Sequence, residues 1–202
     1  MAELIQHRHK ILGEVVENTN AFVASVSKSQ RKKFGQFFTT AKTAEYMAAL
    51  FRIDLCKEEL SLLDAGAGTG ILSAALLDRI FQLGYTGKVN LTCYETDSVV
   101  LPVLEKNLRL AKEKYGIHYS IKTENYVTSQ YFGIGTFFDE DSCKYDYIIG
   151  NPPYLKISRD ASEALSMPFL IYLYVYIIYI AVSVENTAPK CYNYGVWNIN
   201  IV

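Results

Sequence analysis

Residues 60–70 read Leu60-Ser61-Leu62-Leu63-Asp64-Ala65-Gly66-Ala67-Gly68-Thr69-Gly70. A short apolar run reaches an acidic residue and passes into three glycines at alternate positions. A run of this length, bounded by glycine, reads as a buried strand. Glycine lets the backbone turn sharply and approach a ligand closely. The next stretch, ILSAALLDRIFQLG (71–84), spreads apolar residues over a wide helical face and ends on Gly84, a natural C-cap. Strand, glycine turn and helix form the first half of a βαβ unit. The spacing is GxGxG, not the GxGxxG that cradles a dinucleotide pyrophosphate. A plain tight strand-to-helix turn would use the same glycines, so the loop alone leaves the function open.

Working outward, the same alternation continues. KVNLTCYE (88–95) reads as a second strand and VVLPVLEKNLRLAKEKYG (99–116) as a second helix, with Pro102 in its first turn and Gly116 past its end. IHYSIKTEN (117–125) is a third strand, and YDYIIGN (145–151) a fourth after the polar loop FDEDSCK. Upstream, AKTAEYMAALFR (41–52) reads as a helix with Thr40 as its N-cap. Residues 1–27 have loosely helical apolar spacing, and SKSQRKKFGQ then reads as a polar, basic linker. Strands alternating with helices predict a parallel α/β sheet with helices on both faces.

Composition narrows the function classes. In 202 residues, 20 basic side chains meet 21 acidic ones, so net charge alone does not make this a nucleic-acid coat protein. The four cysteines, at 56, 93, 143 and 191, are too sparse for a disulfide scaffold and form no CxxC pair. The three histidines complete no zinc pattern, and no metal is expected. The N-terminus lacks the apolar segment of a signal peptide, so a cytoplasmic location is expected.

Two further positions carry chemistry. Ligands of open α/β sheets bind at the carboxyl ends of the strands. The second strand ends at Glu95, 25 residues after Gly70, where an acid can accept bonds from both hydroxyls of a ribose. The fourth strand runs into Gly150-Asn151-Pro152-Pro153-Tyr154. Adjacent prolines fix φ twice and remove two N–H donors. The Asn151 side-chain oxygen and a nearby carbonyl can then face outward as acceptors beside the Tyr154 ring. Two acceptors and a flat ring suit a planar group bearing an NH2. A rigid turn capped by Asn151 is the plainer alternative.

DAGAGTG, the Tyr94-Glu95 pair and NPPY, preceded by Gly35-Gln36-Phe37-Phe38-Thr39, resemble the amino-methyltransferases that use S-adenosylmethionine. The match is strongest to the N6-adenine DNA methyltransferases of restriction–modification systems, and it covers about residues 30–165. The GQFFT segment favours the DNA adenine enzymes, because NPPY is shared with enzymes that methylate glutamine amides or RNA bases. The 81 residues from Gly70 to Asn151 leave no room for an inserted target-recognition domain, which is the gamma-class motif order. The resemblance implies a Rossmann-like S-adenosylmethionine-dependent methyltransferase sheet, incomplete at its C-terminal half. It implies that Phe37, Thr39, Asp64, Ala65, Gly66 and Gly68 lie around the cofactor, that Glu95 holds the ribose, and that Asn125-Tyr126 forms the adenine-binding segment. The family usually has Asp at the position of Asn125, and Pro at that of Thr40.

The implied catalytic residues are Asn151, Pro152 and Tyr154. Acceptance of both amine hydrogens by Asn151 and the Pro152 carbonyl would let the nitrogen lone pair attack the sulfonium methyl in line. Cytosine C5 chemistry would need a nucleophilic Cys, typically after Pro, and no Cys here follows Pro. The implied partner is double-stranded DNA with a flipped adenine stacked on Tyr154, with a cognate restriction endonuclease as the protein partner. The basic cluster Lys28, Arg31, Lys32 and Lys33 is a candidate for phosphate contact, with a solvated linker as the plainer alternative.

The domain reading is therefore 1–29, a helical segment; 30–165, a partial catalytic core; and 166–202, a tail of different character. Only Glu185 and Lys190 carry charge after residue 163, whereas six Tyr, six Ile and the single Trp gather there. Leu165 to Val184 is uncharged, but its alternating tyrosines argue for a strand rather than a membrane span. Such a composition also matches out-of-frame translation of an AT-rich gene. A complete methyltransferase sheet has seven strands and the body supplies four. The free edge of the fourth strand is thus expected to be covered by residues 169–184 or left open. The chain by itself is expected to be poorly active. The alternatives are a catalytically inactive S-adenosylmethionine-binding fragment, and a protein-glutamine or RNA amino-methyltransferase.

Overall fold

A computed structural model describes residues 10–29, 38–126, 145–151 and 194–197. The glycine loop joins β1 (Glu59–Asp64) to α3 (Ile71–Gln82), as the apolar pattern predicts. Around this unit lie α1 (Leu12–Ser25), α2 (Ala41–Ala49), β2 (Lys88–Tyr94), α4 (Leu101–Tyr115), β3 (His118–Lys122), β4 (Tyr147–Gly150) and β5 (Tyr194–Trp197). The sheet order is β3-β2-β1-β4-β5, and every pairing is parallel. The chain first winds from β1 outward to β3, then crosses back to place β4 on the other side of β1. The crevice therefore opens between β1 and β4, where the winding direction reverses.

Burial follows this order. β1 is central, and Leu60, Leu62 and Leu63 are all fully buried, so both faces of the strand are covered, with Leu60 and Leu62 in the main apolar core. β3 is an edge strand and buries no residue fully. Ten of the twelve residues of α3 are buried, because α3 lies against the sheet and is covered in turn by α1 and α2. Each fully buried Leu or Ile contributes about 1.5–3 kcal/mol, so Leu76, Leu77 and Ile80 make α3 the mainstay of this layer. Gly84 takes φ +88° just past α3, and Gly116 takes φ +68° at the end of α4. Thr40 Oγ1 accepts from the Thr43 amide at 3.2 Å, the N-cap read from the sequence.

Helix α1 packs onto α3 and α4, with Ile11, Leu12 and Val15 in the same core as β1 and α3. Its first amides are satisfied by a buried carboxylate. Ile11 N–H donates to Asp78 Oδ1 at 2.9 Å and Leu12 N–H to Asp78 Oδ2 at 3.1 Å, while the Tyr115 hydroxyl donates to Oδ1 at 2.7 Å. A negative charge at a helix N-terminus offsets its unpaired donors and its dipole. The Tyr147 hydroxyl accepts from Asp54 N at 2.8 Å and donates to the Arg52 carbonyl at 3.1 Å. That tie holds the segment between α2 and β1 against β4.

The outer edge of β4 is neither left open nor paired with residues 169–184, the two outcomes expected from the sequence. Tyr194–Trp197 pairs there, with Tyr147 opposite Tyr194 and Gly150 opposite Trp197. A bare strand edge takes up whatever extended, β-prone segment reaches it, and Tyr194-Gly195-Val196-Trp197 is one. Residues 169–184, and with them the strand, membrane and frame-shift readings of that stretch, lie outside the described residues. No helix among the described residues is long and apolar enough to cross a membrane.

Candidate active site

The site is built on the carboxyl ends of β1, β2 and β4. The glycine loop straddles the switch point: Ala65 N–H donates to Ile149 O of β4 at 3.4 Å, and Ala67 N–H to Tyr94 O of β2 at 2.9 Å. Gly70 N–H closes the turn onto Ala67 O at 2.7 Å. Gly68 and Gly70 take φ +53° and +85°, where a Cβ is costly, so these two glycines are required by the turn itself. Gly66 is different. A Cβ there would meet no atom within 4 Å. Its lack of a side chain serves the open space above the loop rather than packing.

That space is a pocket lined by Phe38, Thr39, Gly66, Ala67, Gly68, Thr69, Ile71, Leu72 and Asn151. It joins three parts of the sequence, the 38–39 segment, the glycine loop and the end of β4. Asn151 Nδ2 donates to Thr39 Oγ1 at 2.9 Å across it. One amide hydrogen of Asn151 is thereby committed, which sets the amide plane and the side on which Oδ1 lies.

Glu95, just beyond β2, braces the loop. Its Oε2 accepts from Gly68 N at 2.8 Å and its Oε1 from Asp97 N at 2.7 Å. Each carboxylate oxygen can accept two hydrogen bonds. The pair of backbone bonds thus orients Glu95 while keeping acceptor capacity for hydroxyls. Asp64, at the tip of β1, is fully buried beneath the loop. Ser73 Oγ–H donates to its Oδ2 at 2.6 Å, and Oδ1 has no well-formed hydrogen bond. Burial raises the Asp64 pKa to about 6; bonds from Ser73 and the Gly66 amide oppose the rise, and the Glu95 charge adds to it. The Ser73 proton is taken by Asp64, so at the 3.7 Å contact with Cys93 the thiol donates to Ser73 Oγ. Burial also pushes the Cys93 thiol pKa well up, and it packs as an apolar residue.

Asn125 and Tyr126 follow β3. The Tyr126 ring meets Tyr94 edge-on, with centroids 5.0 Å apart and planes at 70°. Burial pushes its hydroxyl up to about 12, so the ring stays neutral at physiological pH. Among the residues singled out from the sequence, Thr39, Gly66, Gly68 and Asn151 share the pocket, with Asp64, Ala65 and Glu95 beneath and beside it. Phe37, Pro152 and Tyr154, like Arg31, Lys32 and Lys33, lie outside the described residues. Phe38 was not singled out, yet its ring sits 3.4 Å from where a Gly68 Cβ would be. Thr69 was likewise passed over. Its signal was its place between two glycines forced to positive φ. No group of His, Cys, Asp and Glu among the described residues is arranged to hold a metal.

A parallel sheet, a glycine loop at its switch point and polar side chains at three strand ends define a partial Rossmann-like α/β domain with a ligand crevice. Sequence comparison is more specific: the chain is a homologue of the Type II methyltransferases. It is 29% identical over 153 residues to Type II methyltransferase M.BsuBI of Bacillus subtilis, covering 74% of this chain and 30% of that protein. It is 31% identical over 144 residues to Type II methyltransferase M.PstI of Providencia stuartii, covering 69% and 28%. A release factor glutamine methyltransferase of Fusobacterium nucleatum matches at 33% over 108 residues, 54% of this chain and 25% of that protein. The match thus spans about 30% of the length of the first curated relative. Among solved structures, a type I restriction–modification methyltransferase subunit from Streptococcus thermophilus superposes with a TM-score of 0.43 at 20% identity, over 66% of this chain and 26% of that one. No protein-family model matches.

Proposed function

We propose that this chain carries the cofactor-binding and amine-binding parts of an adenine-N6 DNA methyltransferase of a restriction–modification system, with S-adenosylmethionine as methyl donor. The observation that carries the reading is that Thr39, the glycine loop and Asn151 meet in one pocket. Its setting among Type II methyltransferase relatives supports the same reaction class.

The residues fit such a cofactor. The open face above Gly66 accepts a ligand without a clash. Glu95, pinned by two backbone amides, offers carboxylate acceptors at the tip of β2 for a ribose diol. Tyr126 and Asn125, at the end of β3, supply a flat ring and an amide for a base. The bound cofactor supplies an electrophilic sulfonium methyl. Asn151 Oδ1 accepts one hydrogen of the target amine, with its amide plane held by Thr39. The Pro152 carbonyl takes the second, which draws the nitrogen toward a tetrahedral state with its lone pair facing the methyl. The proton lost after transfer leaves to solvent, and no covalent enzyme intermediate is formed. Tyr154 stacks on the flipped adenine. Double-stranded DNA is the partner, a cognate endonuclease shares the site sequence, and the cytoplasm is where both are met.

A second reading, methylation of a protein glutamine amide, is favoured by the likeness to a release factor glutamine methyltransferase. Both substrates present a planar NH2 to Asn151. Two measurements separate these readings and test the whole. Calorimetry with S-adenosylhomocysteine should show saturable binding, weakened in Glu95→Ala. Tritiated methyl transfer should then be run on unmethylated DNA, RNA and a release-factor protein, with Asn151→Ala as control. Absence of binding would overturn the cofactor assignment. Label in protein but not DNA would move the reaction to the glutamine class.

A further inference from the structure

We propose that helix α1, through Thr19, is a positioning element for the glycine loop, so that cofactor affinity depends on a side chain that does not line the pocket. The link to affinity rests on the reading of that loop as the cofactor cradle.

Thr19 lies inside a helix and is buried at 4% exposure, where a hydroxyl has no solvent to satisfy it. Valine would fill the same volume without a polar atom. The hydroxyl is explained by its partners. Thr19 Oγ1 is 2.7 Å from the Val15 carbonyl, one turn back, and 2.8 Å from Thr69 Oγ1. Its one proton can serve only one of them. When Val15 O takes it, the Thr69 hydroxyl supplies the proton between the two threonines.

Thr69 sits between Gly68 and Gly70, both at positive φ, and is itself buried. A glycine-flanked segment has many accessible conformations and loses much entropy on being held in one. Two outside bonds hold it. Besides Thr19, Asn107 Nδ2 of α4 donates to Thr69 O at 2.8 Å. Asn107 is in turn gripped from α1, because Asn18 Nδ2 donates to Asn107 Oδ1 at 2.7 Å. Adjacent residues of α1 therefore restrain both the side chain and the carbonyl of Thr69. A third contact lies one turn further along. Phe22 meets Phe38 edge-on at 6.5 Å, and Phe38 packs over Gly68. The cradle is shaped before a ligand arrives, and preorganisation of this kind raises affinity by lowering the cost of ordering on binding.

The test uses the 202-residue chain with Thr19→Val and Thr19→Ser. Amide hydrogen exchange at Gly68 and Gly70 is followed without ligand, and S-adenosylhomocysteine affinity by calorimetry. Thr19→Val should speed exchange at these amides beyond any general change and weaken binding about five- to tenfold, the worth of one buried hydrogen bond. Thr19→Ser, which keeps the hydroxyl, should restore both. A lower Tm for Thr19→Val with loop exchange and affinity unchanged would overturn the proposal. If the unaltered chain binds no S-adenosylhomocysteine, the cofactor reading fails, while exchange at Gly68 and Gly70 still decides whether Thr19 positions the loop. If Thr19→Val does not fold, Asn18→Ala releases the outer tie without burying an unpaired hydroxyl. It should change exchange and affinity in the same direction by a smaller factor, and no change would again overturn the proposal.

Discussion

Asn151 and Thr39 are 112 residues apart in sequence, yet Asn151 Nδ2 donates to Thr39 Oγ1 at 2.9 Å. The contact joins the segment before α2 to the end of β4 over the same pocket as the glycine loop. It makes Thr39 an orienting partner of the amide proposed to hold the target amine.

Thr39→Val should therefore act on Asn151 more than on the fold. The substitution keeps the volume and removes one half-buried hydrogen bond, a loss of about 0.5–1.5 kcal/mol of stability. The Asn151 side-chain NH2 resonance, followed by NMR, should move toward its solvent-exposed position and broaden. Methyl transfer, measured in a complete enzyme of this type, should fall by roughly tenfold or more as the amide loses its set plane. An unmoved NH2 resonance would show that Thr39 does not orient Asn151.

Glu95 does two tasks at once, bracing Gly68 and offering acceptors beside the pocket. Glu95→Ala should weaken S-adenosylhomocysteine binding by about 1–3 kcal/mol, with hydroxyl partners left unpaired. Glu95→Gln should fall between the two, because an amide has one carbonyl oxygen for two backbone donors. Calorimetry checks the order. Equal affinity for all three proteins would remove Glu95 from the cofactor site.

Asp64 predicts a pH dependence of stability. Its pKa rises from 3.8 to about 6 on folding, so the folded protein holds this proton more tightly than the unfolded chain. Its stabilising contribution is complete below about pH 4 and is lost as pH rises toward 6. The loss is of order 3 kcal/mol at 1.36 kcal/mol per pKa unit. Asp64→Asn keeps an acceptor for Ser73 and cannot ionise. In urea titrations from pH 4 to 7, the stability of the unaltered chain relative to Asp64→Asn should decline through this window. A constant difference would show that Asp64 does not titrate there.

Two glycines should respond in opposite ways to alanine. At Gly87 a Cβ would run into the Tyr85 hydroxyl and the Glu58 carbonyl, so Gly87→Ala should destabilise by about 1–3 kcal/mol. At Gly66 a Cβ meets open space, so Gly66→Ala should leave Tm nearly unchanged while reducing cofactor affinity. Thermal melts and calorimetry on both variants test the pair. A large loss of Tm in Gly66→Ala would show that this glycine serves packing.

Much was legible in the sequence, and for local reasons. Strand and helix periods depend on neighbours a few residues away, so β1, α3, β2, α4, β3 and β4 could all be read off. The caps at Thr40, Gly84 and Gly116 follow from single-residue chemistry. The glycine loop, Glu95 and Asn151 were legible because each sits where a strand must end, and strand ends are where open α/β sheets bind ligands.

Other features were decided only when the chain folded. The order β3-β2-β1-β4-β5 is a choice among pairings that no single strand encodes. The cover of β4 by Tyr194–Trp197 is another, since an open edge accepts any β-prone strand that reaches it. The bonds from Asn151 to Thr39, from Thr19 to Thr69 and from Ile11 and Leu12 to Asp78 join residues 50 to 112 positions apart. A lone Thr or Asn carries no mark of its partner. Its hydrogen bond forms because burial leaves the hydroxyl or amide without water, and the tertiary packing determines which group replaces it.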